Sequence, residues 1–125
     1  MFSELQVPFK TTFDRILELG YEERKDLGAM GLKLFEECGE FAETVNFHLG
    51  NLPHKQLKER PIDEAADVIQ NVIAMLSKIY ADQNPEWIYD ELLDALDRKT
   101  DKWQAVMYST QLESSPPDEI SAMYR

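Results

Sequence analysis

Leu34-Phe35-Glu36-Glu37-Cys38-Gly39-Glu40-Phe41-Ala42-Glu43 and, further along, Asp63-Glu64-Ala65-Ala66-Asp67-Val68-Ile69 decide how this chain folds. In each stretch carboxylates recur three residues apart, Glu37/Glu40 and Glu64/Asp67, within apolar residues at helical spacing. Side chains three or four apart share one face of a helix, so each pair projects as a unit. Four or five carboxylates aimed into one space repel strongly. Two like charges about 4 Å apart cost roughly 4 kcal/mol at the effective dielectric that suits proteins. Facing helices that carry such pairs need a counter-charge. A hard divalent cation with oxygen ligands, most simply Mg²⁺, is the natural one.

The helical reading extends in both directions. Phe9, Phe13, Ile16 and Leu17 have helical spacing, and Gly20 can close that first short helix. A second helix is predicted from about Glu22 or Arg24 to Leu49, ending at Gly50-Asn51, with an apolar stripe of Leu34, Cys38, Phe41, Val45 and Leu49. Gly28 and Gly31 weaken its start and mark either a break or a close helix approach. After a loop containing Pro53, Pro61 suits the first turn of a third helix that reaches about Ala81. Asn84-Pro85-Glu86 joins an N-cap, a first-turn proline and an acid, which predicts a fourth helix to Met107. Ser114-Ser115-Pro116-Pro117 breaks any continuation. No strand-like alternation of useful length occurs. The expectation is an all-α fold, one domain over residues 1–108 with a four-helix core, and a C-terminal tail over 109–125.

The third helix is apolar over a broad arc that includes Ile62, Ala65, Val68, Ile69, Val72, Ile73, Leu76 and Ile79. Such a helix is buried on more than one side. Three long helices in one chain struggle to cover it. A homodimer or larger helical assembly is therefore expected to complete the core.

The chain has 125 residues, 43% of them hydrophobic, which suits one compact domain. No apolar run reaches the roughly 18 residues that a membrane span needs. The N-terminus lacks the basic and apolar regions of a secretory signal. Cys38 is the only cysteine, which fits a reducing cytoplasm, and its place on the apolar stripe predicts core packing. The formal net charge of −11 argues against nucleic-acid polymers and anionic membranes. It leaves small phosphorylated substrates open, because bound metal ions invert the local field.

At about 100° per residue, Glu64, Asp67 and Asn71 form one narrow stripe on the third helix, which Met75 and Lys78 continue. On the second helix Glu37 and Glu40 border the apolar stripe, while Glu36 and Glu43 lie further round. Glu37, Glu40, Glu64 and Asp67 are thus the candidate inward-pointing ligands, with Glu36 flanking them. Lys99 falls on the apolar face of the fourth helix with Ile88, Leu92, Leu96, Trp103 and Val106. There it can offset the carboxylates, hold a phosphate or snorkel to the surface. His48 and His54 lack the spacing of a His-Glu-x-x-His zinc site. Phe9, Phe13, Trp87 and Trp103 could stack on a base, though aromatics in such positions are more often core or interface.

The Glu36-Glu37-x-x-Glu40 block followed by Glu64-x-x-Asp67 resembles the signature of the MazG-like, all-α nucleoside triphosphate pyrophosphohydrolases. Gly39 before the third Glu, the Val68-Ile69 pair after Asp67 and the spacer from Phe41 to Asp63 also fit. The resemblance covers about residues 27 to 80. It implies a four-helix core, assembly as a homodimer or homotetramer, and Mg²⁺-dependent hydrolysis, with Mn²⁺ a substitute. A nucleoside triphosphate would be cut to the monophosphate and pyrophosphate, a reaction that cleans the nucleotide pool. Carried over, Glu37, Glu40, Glu64 and Asp67 would ligate metal, with Glu36 and Glu37 the catalytic residues. Glu36 would ligate a further ion or orient the attacking water. Asn71 would contact substrate, and Lys78, Lys99 and Lys102 are phosphate candidates. Phosphoryl chemistry needs mostly positioning and charge stabilisation, so the lack of a convincing Ser, Cys or His nucleophile is no obstacle. Two other readings compete. A di-iron carboxylate bundle needs Glu-x-x-His pairs, which are missing here. A non-catalytic helical dimer that binds other proteins would use its acidic faces only as surface.

Overall fold

Helix α1 spans Phe9–Glu22, α2 Leu27–His48, α3 Pro61–Ile79 and α4 Pro85–Glu113. The computed structural model of the chain describes residues 8–57 and 59–113. The protein is all-α, as its periodicity predicts, with no strand among the described residues. No helix among them is long and apolar enough to cross a membrane. The chain divides into two units at the Ile88–Tyr89 junction. The first holds α1, α2, α3 and the opening turn of α4. The second holds α4 from Tyr89 onward.

Local chemistry sets the helix ends. Asp26 caps α2, its Oδ1 accepting from the Ala29 N–H at 2.8 Å, so the helix begins at Leu27 rather than at Glu22 or Arg24. Gly28 and Gly31 lie inside an unbroken helix. At the far end Gly50 takes a φ of 82°, which suits a residue without a Cβ. Its N–H donates to Phe47 O at 3.0 Å, and the Asn51 N–H donates to Asn46 O at 2.9 Å. This Schellman arrangement satisfies carbonyls that the helix leaves open. Asn84 starts α4 as predicted, its Oδ1 accepting from the Trp87 N–H at 2.8 Å. That helix runs past the expected end at Met107 to Glu113. The break expected at Ser114-Ser115-Pro116-Pro117, with the rest of the tail, lies outside the described residues.

Within the first unit α3 packs against both α1 and α2. Phe13 and Leu17 of α1 and Ile73 of α3 are buried core side chains. Gly20 does not close α1, which continues to Glu22. It lies buried inside the helix, and a Cβ there would stand 2.7 Å from both the Cα and the carbonyl oxygen of Ala74. The glycine lets the two backbones meet, and the approach fixes how α3 is seated.

Helix α2 meets α3 with an unexpected face. Met30, Glu37 and Thr44, spaced by sevens, are its buried residues. The stripe expected to be core is largely outside: Val45 is 46% exposed, Leu49 67%, and Cys38 is also exposed. Cys38 is therefore not a core residue of the single chain. The buried face and the stripe lie about a quarter turn apart on the helix. Asn71 of α3 holds the observed face in place, its Nδ2 donating to Met30 O at 3.4 Å. The third helix has a similar surplus, with Ile62 65% and Ile69 51% exposed.

Replacing Gly20 with alanine tests the α1–α3 contact. Alanine suits a helix interior better than glycine by about 1 kcal/mol. Overpacking against fixed backbone costs about 1–3 kcal/mol. Gly20→Ala is expected to lower the midpoint of urea unfolding, whereas an uncrowded helix interior would gain stability.

Candidate metal centre

Helix α2 delivers Glu37 and Glu40, and the first two turns of α3 deliver Glu64 and Asp67. Where these helices pack, one carboxylate oxygen each from Glu37, Glu40 and Glu64 lies within 4.8 Å of the others. A second group meets the same criterion: Glu59, Glu64 and Asp67. Glu64 belongs to both and joins them into one acidic centre. Glu37 and Glu64 are buried, at 7% and 8% exposure, while Asp67 is partly exposed and Glu59 exposed.

Glu59 has no helical register to announce it. It lies in the loop before α3, next to Arg60, which is fixed to the helix start. The Asp63 carboxylate accepts from the Arg60 backbone N–H at 3.3 Å, from Nε at 2.9 Å and from Nη2 at 3.1 Å. This clamp brings the loop back over the first turn of α3 and sets Glu59 beside Asp67.

The electrostatics follow from the crowding. Glu64 is pushed up to about 7 from its ordinary 4.5, mainly by burial, then by the charges of Glu40 and Glu59, a hydrogen bond with Glu40 and the charge of Asp67. Glu59 is also raised, first by the charge of Asp67. Oε2 of Glu37 and Oε2 of Glu64 are buried and have no hydrogen-bond partner. Buried carboxylate oxygens are ordinarily paired or bound to a cation, since an orphan keeps its full desolvation penalty. A set of oxygen donors with two inward orphans matches what a hard divalent cation takes.

Two cavities of about 430 Å³ each adjoin the centre, and Lys33, Glu37 and Asp67 line both. One lies over Glu40, Glu59 and Glu64 and is walled by Thr44 and the loop from Lys55 to Leu57. The other opens between α1, α2 and α3, with Ile16, Leu19 and Met30 as apolar wall and Gln70 and Asn71 as polar groups. An anion with an organic part has room on both sides of Glu37.

The remaining candidates fall in different places. Glu36 is outside both carboxylate groups, its side chain 58% exposed. Asn71 lines the cavity beside α1 while bonded to the Met30 carbonyl. Lys78 donates to Glu23 O at 2.6 Å and lines neither cavity. Lys99 and Lys102 are exposed on α4, within the second unit. Phe9, Phe13 and Trp87 line neither cavity. Sequence reasoning overlooked Lys33, whose Nζ lies 3.0 Å from Glu37 Oε1 and 3.5 Å from Glu36 Oε1. Its position four residues before Glu37 was the available signal. Comparison of the chain with protein-family models, curated proteins and solved structures found no match.

The raised Glu64 carboxyl makes stability depend on pH. The folded chain holds this proton more tightly than the unfolded one, so the contribution is complete below pH 4.5 and is lost as pH rises through about 7. The melting temperature of the metal-free protein is expected to fall across that window. Glu64→Gln, which cannot ionise, is expected to flatten the fall and to melt above wild type at alkaline pH. A variant that melts in parallel with wild type at every pH would show that Glu64 feels no crowding.

Proposed function

We propose that this protein is a Mg²⁺-dependent nucleoside triphosphate pyrophosphohydrolase of the MazG-like kind. The observation that carries this reading is the pair of carboxylate groups sharing Glu64, with unpartnered buried oxygens on Glu37 and Glu64. The donor set comes from the same Glu37, Glu40, Glu64 and Asp67 on which the sequence resemblance rests. Mg²⁺, when bound, supplies neutralisation of the triphosphate oxygens and acidifies a coordinated water.

The chain's own groups have distinct tasks in this scheme. Glu37, Glu40, Glu64 and Asp67 hold the cations, and Glu59 adds a donor from the loop. Glu36, at the rim, orients the attacking water or holds a further ion. A water oxygen bonds to phosphorus, the α–β anhydride bond breaks, and pyrophosphate leaves the nucleoside monophosphate. A nearby carboxylate takes the water's proton. The cavity beside α1 takes the organic part, with Asn71 and Gln70 offering hydrogen bonds. Lys78, Lys99 and Lys102 remain phosphate candidates from the sequence.

Self-association belongs to the same proposal. The outward faces of α2 and α3 carry Phe35 at 80% exposure, Leu49 at 67% and Ile62 at 65%. Large apolar side chains left in water on this scale favour association, and a homodimer or homotetramer would cover them. A cytoplasmic location, suggested by the single cysteine, is part of the proposal too.

Pyrophosphate release from a panel of canonical and modified nucleoside triphosphates with Mg²⁺ tests the reaction and names the base. Glu37→Gln and Asp67→Asn are each expected to lower turnover by about 100-fold or more, as loss of a metal ligand does, with helical content unchanged by circular dichroism. Normal turnover by either variant would refute the site. Mg²⁺ is also expected to raise the melting temperature, because a ligand that binds only the folded state stabilises it. The same addition should leave Asp67→Asn nearly unmoved.

A further inference from the structure

Lys33 does something the proposed chemistry leaves unassigned. Its side chain is 46% exposed, yet the Glu37 side chain that it grips is only 9% exposed. An ordinary ion pair at this spacing joins two solvated groups and contributes little. Here one partner is a buried member of a carboxylate cluster. The ammonium contacts Glu37 Oε1 at 3.0 Å and Glu36 Oε1 at 3.5 Å, while Glu37 Oε2 remains buried without a partner. Lys33 also lines both cavities that flank Glu37. Of the other lysines lining these cavities, Lys55 is paired with Glu43 at 2.5 Å and lines only the more acidic one, and Lys25 lines only the other.

We propose that Lys33 is the resident counter-ion of the acidic centre, releasing Glu37 when a divalent cation binds there and turning to the triphosphate in the adjoining cavity. This rests on the proposed function and adds a positioning residue to it. Glu37, once shared with a divalent cation held by this centre, would attract the ammonium less and leave Lys33 free to turn. The side chain is exposed and long enough to turn at little conformational cost. A polyphosphate bridging the two cavities then offers a stronger anionic partner. The groups nearest its ammonium are acidic, Glu36 and Glu37 on its own helix, and it shares the cavities with Asp67, Gln70 and Asn71 of α3 and with two other cations, Lys25 in one and Lys55 in the other. Its proton is held firmly, since the hydrogen bond to Glu37 and the charges of Glu37 and Glu36 all raise its affinity for it.

The signature is a pair of opposite changes. Lys33→Met removes the competing charge, so the nucleotide-free protein should bind Mn²⁺ more tightly, by roughly three- to five-fold for a partly exposed pair. The same variant should bind a non-hydrolysable triphosphate analogue with Mg²⁺ more weakly, by a similar factor. Lys33→Arg keeps the charge and should stay within about two-fold of wild type in both. Mn²⁺ is read by electron paramagnetic resonance and the analogue by calorimetry, with circular dichroism confirming that α2 is intact. A merely structural role for Lys33 would weaken both ligands together. Mn²⁺ uptake by wild type with no tightening in Lys33→Met overturns this inference alone, as does tightening with unchanged analogue binding. Wild type that takes up no Mn²⁺ overturns the proposed function along with it.

Discussion

Everything in the first unit depends on how like charges are tolerated across the α2–α3 contact. Glu37 and Glu64 are buried where apolar side chains would stabilise the fold more, and Glu64 holds its proton to about pH 7 as a result. A chain selected for stability alone would place leucine or methionine there, since replacing buried ionic groups by apolar ones is often neutral or stabilising. Strain of this kind concentrates at sites that bind or react. The small buried core of the unit (Phe13, Leu17, Met30, Ile73 and Ile88) must offset it.

The devices that hold the centre are local and ordinary. Gly20 removes a side chain so that α1 can lie on α3. Asn71 ties α3 to the Met30 carbonyl and sets the rotation of α2. Arg60 and Asp63 fold the loop back so that Glu59 joins the acids already present. Glu64 also sits in the first turn of α3, where the helix dipole favours a negative charge. Each contact is worth little alone. Together they leave the carboxylates few other directions in which to point.

Much of this is legible in the sequence. Apolar spacing gave the helices, and cap residues gave the start of α4 and the end of α2. Three-residue spacing picked out Glu37, Glu40, Glu64 and Asp67, which the fold does bring together. What escaped came from tertiary geometry. A glycine at a helix contact and a glycine at a helix end look alike in one dimension, and Gly20 is the former. Glu59 joins by loop closure, which has no period. The rotation of α2 does not follow from its strongest apolar stripe, which faces away from α3. A stripe shows only that a face avoids water, not which molecule covers it.

That last point links the acidic centre to the exposed apolar surface. Helix α2 has one face to give to α3, and Met30, Glu37 and Thr44 occupy it. Turning the Leu34–Val45 stripe inward instead would rotate Glu37 and Glu40 out of reach of Glu64. The carboxylates and the stripe therefore compete for the same contact, and the carboxylates hold it. Burying apolar area contributes roughly 25 cal/mol per Å², so leaving Phe35, Leu49, Ile62 and Ile69 outside sacrifices stability within the single chain. The exposed stripe lies about a quarter turn from the acids, so covering it would leave their contact with α3 in place. The acidic centre and the exposed apolar stripe are thus two consequences of one helix rotation, and a change that reverses the rotation must remove both.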